Sequence, residues 1–152
     1  MADDDGQTVG VRDGRRLYDG IDELDRLGGP NGEPTTVTAP CPVCDTAVVV
    51  DAVAVVERGD SAFAAAREGR IGADALASIA SALGLTMGAF DGVAYLRGRH
   101  GLTAHLLGHT CATCGSRLTA VASYGEFQPA RWQLWFDGLV VAGDDGEHPS
   151  PR

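Results

Sequence analysis

The chain has 152 residues, net charge −9, 44% apolar and 22% charged residues, which suits one globular domain and excludes a wholly disordered chain. Acidic residues outnumber basic ones 21 to 12, and this argues against a general nucleic-acid coat or a basic membrane-surface protein. Every basic residue is arginine, and aromatics are only 6%, so the core has to be built from Ala, Val and Leu.

The acid-rich, lysine-free composition is similar to that of proteins from salt-loving archaea, with a GC-rich soil bacterium as the alternative source. A halophilic protein works where the Debye length falls to roughly 3 Å, so partner choice there leans on close packing. The opening Met1-Ala2-Asp3-Asp4-Asp5 is the reverse of a signal peptide's basic and apolar start. The uncharged stretch from Ala75 to Phe90 is shorter than the roughly 20 residues a spanning helix needs. A cytoplasmic protein, or a virion component if virus-encoded, is expected, with no membrane partner.

Residues 1–34 read as an acidic flexible arm, with a short amphipathic helix at Tyr18–Leu27 stopped by Gly28-Gly29-Pro30-Asn31-Gly32. Thr35–Ala39 is a strand candidate leading into Cys41-Pro42-Val43-Cys44. The text from Thr46 to Val56 is rich in β-branched residues and predicts one strand, bent at Asp51.

Residues 59–99 change to alanine-rich, helix-favouring text. Ser61–Glu68 predicts one short helix. Asp74–Leu83 predicts a second, with Leu76, Ile79, Ala80 and Leu83 on one face and Gly84 as its stop. Thr86 is placed to cap a third, running to about Arg97. Thr103–Thr110 is then a strand into Cys111-Ala112-Thr113-Cys114, and Arg117–Tyr124 a strand out. Arg131–Phe136 and Leu139–Ala142 flank Asp137-Gly138, a dipeptide that signals a type I′ hairpin. Residues 143–152 read as a disordered acidic tail.

Two C-x2-C units, each on a turn between strands, carry the chemistry. Four thiolates complete a tetrahedral site with no position left for water, the mark of a structural zinc. Gly115 after Cys114 suits the left-handed turn such a knuckle wants, and Asp45 after Cys44 tolerates it. The candidate metal ligands are therefore Cys41, Cys44, Cys111 and Cys114, holding one structural Zn2+. Iron suits the same donors. A redox Cys-Pro-x-Cys and two metal-free pairs are the other readings; in the redox motif a helix rather than valines should follow. His100, His105 and His109 precede Cys111 and are read as groups beside the site or on the surface rather than a fifth ligand.

These paired knuckles resemble the zinc-ribbon superfamily over about residues 35–57 and 102–142. The resemblance implies an α+β domain over residues 35–142: a small antiparallel sheet of five or six strands. Sixty-six residues separate Cys44 from Cys111, far beyond the usual ribbon spacing of about 15–20. Residues 59–99 are therefore expected as a helical insertion, which loop-closure entropy tolerates.

Leu76 to Val93 also resembles a winged helix-turn-helix, with Gly84 in the turn. Its recognition helix would begin Thr86-Met87-Gly88-Ala89, poor in base-reading side chains, and end at Arg97 and Arg99, candidate phosphate contacts. On the last strand Trp132, Leu134 and Phe136 share one face, which leaves Trp135 on the other as a candidate interface anchor. No G-x-S-x-G, Walker A or H-E-x-x-H motif is present, so no enzyme is expected. The expectation is a non-catalytic, zinc-stabilised interaction module, a structural or adaptor subunit with protein partners, a homo-oligomer among them. The alternatives are a DNA-binding regulator and a thiol redox protein.

Overall fold

In a computed structural model, residues 9–20, 35–129 and 131–141 are described. They form β1 (Gly10–Gly20), β2 (Thr36–Pro40), β3 (Ala47–Asp51), α1 (Ala52–Arg58), β4 (Asp60–Ser61), α2 (Ala62–Arg67), α3 (Ala73–Leu83), β5 (Thr86–Phe90) and β6 (Val93–Arg97). A 3-10 turn (Arg99–Gly101), β7 (Thr103–Thr110), β8 (Arg117–Gln128) and β9 (Arg131–Val141) follow. The architecture is α+β, with more strand than helix. A seven-stranded antiparallel sheet has the order β1-β9-β8-β7-β6-β5, with β4 also on β7, and β2–β3 form a separate hairpin.

The sheet is covered on both faces. On one, Leu118, Ala120, Ala122, Leu134, Phe136 and Leu139 meet the β2–β3 hairpin and α1. β2 and β3 alternate strictly, turning Val37, Ala39, Val48 and Val50 inward and Thr38, Ala47 and Val49 outward. Each inward valine contributes roughly 1.5–3 kcal/mol by leaving water. On the other face, Leu96, Ala104, Leu106, Val121 and Val140 meet Leu76, Ile79, Ala80 and Leu83 of α3. That is the helix face the spacing predicts. Gly84 ends α3 at φ 76°, a left-handed conformation glycine adopts without strain.

Several expectations are corrected. The valine run after Thr46 is not one bent strand: β3 stops at Asp51, and α1 begins there. Asp51 Oδ1 accepts from the Val53 amide at 3.1 Å and from the Thr35 hydroxyl at 3.1 Å. A side-chain acceptor at the N-cap satisfies a donor the helix cannot, and this starts a helix despite the β-branched text.

The third helix is not formed. Thr86–Phe90 and Val93–Arg97 are the two strands of a hairpin in continuous register. Asp91 and Gly92 make its turn with φ 55° and 79°, the positive pair that a type I′ turn requires. Thr86, Phe90, Val93 and Tyr95 favour strand. The Arg97 stem lies across Gly88, whose Cβ, if present, would come within 2.6 Å of the Arg97 Cδ. The helix-turn-helix resemblance thus loses its recognition helix, and the segment 59–99 is helical only in its first part.

The hairpin expected at Asp137-Gly138 is also absent. β9 runs through that dipeptide with a bulge opposite Val121 and Ala122, and the β8–β9 connection lies beyond Gln128. Gly138 has φ 148°, and a Cβ would sit 2.3 Å from the Val11 carbonyl oxygen, so a close backbone approach demands glycine.

Part of the presumed arm is structured. Gly10–Gly20 pairs with β9 from Gly10↔Val140 to Gly20↔Trp132, and Leu17 and Tyr18 pack on the first core. Tyr18, the expected start of a helix, belongs to this strand; the rest of that helix, at 21–27, and the tail at 143–152 lie outside the described residues. No helix among the described residues is long and apolar enough to cross a membrane.

Candidate metal centre

The two cysteine pairs sit on the turns of two hairpins. Cys41 and Cys44 lie between β2 and β3, and Cys111 and Cys114 between β7 and β8. Both turns are built alike. The Cys41 amide donates to the Thr46 carbonyl at 2.9 Å and the Asp45 amide to the Cys41 carbonyl at 2.8 Å; Cys111, Ser116 and Gly115 repeat the pair at 3.0 and 2.9 Å. Asp45 and Gly115 take φ 68° and 78°, as the text after each second cysteine predicts.

Packing of the β2–β3 hairpin on the face of the main sheet brings the two turns together. The four Sγ atoms lie within 4.8 Å of one another. Cys41 and Cys114 are separated by 3.9 Å and Cys44 and Cys111 by 3.7 Å. A tetrahedron of sulfurs at about 2.3 Å from a zinc has an edge of about 3.8 Å, whereas a disulfide would need about 2.05 Å. All four thiols are unbridged. The donor set and spacing fit one metal ion.

Each sulfur is prepared differently. Cys41 and Cys111 are buried, Cys44 is half-buried and Cys114 exposed. The Val43 amide donates to Cys41 Sγ at 3.3 Å. The Thr46 hydroxyl lies 3.3 Å from Cys44 Sγ, and the Ser116 hydroxyl 3.3 Å from Cys114 Sγ. Hydrogen bonding from Thr46 pulls the Cys44 thiol down to about 6, and Ser116 lowers Cys114 in the same way. Burial pushes Cys41 up. A metal ion supplies the charge that keeps such a buried thiolate ionised. Thr46 and Ser116 were not singled out in the sequence; the signal was a hydroxyl residue two places after each second cysteine.

The three histidines stand apart from this cluster. His100 packs its ring between Phe127 at 5.5 Å and Trp135 at 5.2 Å. His105 is lowered from its ordinary value by burial, and its Nδ1 has no partner. His109 is half-buried on β7.

Arg97 and Arg99 do not sit on a helix. Arg97 ends β6, and Arg99 opens the 3-10 turn and pairs with Asp137. Trp135 is half-buried. Its Nε1 donates to Gln133 Oε1 at 2.9 Å, and the Arg99 guanidinium lies 5.3 Å over its ring. Leu134 and Phe136 are core, while Trp132 stacks on Tyr124 at 5.7 Å.

Comparison with family models, curated proteins and solved structures returned no match.

Proposed function

We propose that the four thiolates hold one zinc ion and that the chain is a non-catalytic interaction module of zinc-ribbon type, with α1 to β6 inserted between its knuckles. The observation that supports this reading is the donor set: four sulfurs at tetrahedral spacing on two hydrogen-bonded turns. A metal with four protein ligands offers no position to a substrate or water, so its work is structural. It joins the β2–β3 hairpin to the main sheet, and its binding free energy becomes folding free energy. That contribution adds to a core built from Ala, Val and Leu with one large aromatic, Phe136. A protein of this design presents surfaces to other proteins, as a structural or adaptor subunit.

Cobalt substitution tests the reading. The Co2+ protein is expected to show a tetrahedral tetrathiolate spectrum that added azide or cyanide leaves unchanged. A spectrum that shifts on adding those ligands would reveal an open coordination position and return catalysis to consideration.

A further inference from the structure

The two outer edges of the seven-stranded sheet are built differently. β1 carries Arg12, Asp13, Arg15, Arg16 and Asp19 and breaks register twice. Charges and bulges of this kind keep an edge strand from pairing with another chain. β5, at the opposite edge, has neither. Thr86-Met87-Gly88-Ala89-Phe90 is uncharged, lacks proline and stays in register with β6 throughout. Among the described residues its outer side pairs with no strand. Phe90 is 64% exposed, touching Phe63 edge-on at a ring separation of 5.8 Å.

Two opposite charges flank this edge without an ion-pair partner among the described residues. Asp91 stands in the turn after Phe90, and Arg97 lies opposite Thr86 with its stem across Gly88.

We propose that β5 is the edge through which two copies of this chain associate. The strands pair antiparallel about a two-fold axis at Gly88, so the sheet continues from one copy into the other. This register sets Phe90 of each copy against Thr86 of its partner, an aromatic on a β-branched residue, a favourable cross-strand pair. Arg97, opposite Thr86 in its own chain, then lies in line with Phe90 of the second copy. The Asp91 carboxylate of that copy is one residue further on. The two-fold makes the contact twice, so both unpaired charges of each chain find a partner. The interaction-module reading supplies the purpose of this interface, while its geometry needs only the sheet.

Sedimentation velocity of the full, metal-loaded chain at about 0.1 M salt, where charge pairs still act, tests the proposal. The chain is expected to dimerise. Asp91→Arg and Arg97→Asp are each expected to weaken dimerisation about tenfold, since each turns two attractions into repulsions. The double variant, with the charges exchanged, is expected to recover it. Ala89→Lys is expected to give a monomer that keeps its metal and its circular dichroism. A wild-type chain that stays monomeric at every concentration, or a dimer that Ala89→Lys leaves intact, overturns the proposal. Failure of the charge exchange to restore pairing overturns the two-fold at Gly88. A metal-free chain that still dimerises through β5 would count against the zinc reading alone.

Discussion

Arg99 Nε donates to Asp137 Oδ1 at 2.9 Å, and the carboxylate that accepts is fully buried. Ser123 Oγ donates to the other oxygen at 2.6 Å and accepts the Arg99 amide at 2.9 Å. One network thus ties the 3-10 turn to β8 and to the bulge of β9. Asp137→Ala leaves a partly desolvated guanidinium and a buried hydroxyl without an acceptor. We expect a loss of about 3 kcal/mol, read from urea unfolding. A loss under about 1 kcal/mol would show that the network holds nothing together.

The same carboxylate gives a pH dependence. Burial raises the Asp137 carboxyl above its ordinary 3.8, against the pull of Ser123 and Arg99. The folded state therefore takes up this proton more readily than the unfolded state. The stability linked to it is fully present below the unfolded value and is lost as pH rises through the folded one. Wild type compared with Asp137→Asn is expected to gain ground as pH falls from neutral. Both chains share the metal site, so the difference isolates this residue. A difference flat with pH contradicts the account.

His105 shows the opposite sign. Burial lowers it from the ordinary 6.5, so the folded state resists protonation. Its contribution to stability is present above the unfolded value and lost as pH falls through the depressed folded one. Imidazole NMR is expected to find His105 more than half neutral at pH 6.5. Half-protonation there would mean that the ring is solvated.

Asp51 supports α1 through two hydrogen bonds from Val53 and Thr35. Asp51→Ala is expected to cost about 1 kcal/mol and to speed amide exchange in the first turn of α1. An unchanged exchange rate would show that packing of Val53 and Val55 alone holds the helix.

The cysteine turns were legible because their chemistry is local: the ligand spacing and the left-handed residues at Asp45 and Gly115 leave few conformations. α3 was legible from the spacing of Leu76, Ile79, Ala80 and Leu83. β7 was read as a strand leading into the second cysteine pair, with the bounds Thr103–Thr110 that the structure has. What was not legible depended on distant partners. The charged text of β1 becomes a strand because β9 offers it an edge. The chain holds six Asp-Gly pairs; the one at Asp91-Gly92 closes a hairpin, whereas β9 runs through the one at Asp137-Gly138. At Asp137-Gly138 the aspartate is held inside by Arg99 and Ser123, residues far away in sequence. The segment from Thr86 to Arg97 misled through its helix-turn-helix spacing, although its residue types already favoured strand.

The spacing of four sulfurs around one point is the central claim, and a native mass of the purified chain addresses it directly. One zinc per chain is the predicted result, lost together with the fold in Cys111→Ser. A folded chain that carries no metal, or a Cys111→Ser variant that folds as well as wild type, would contradict it.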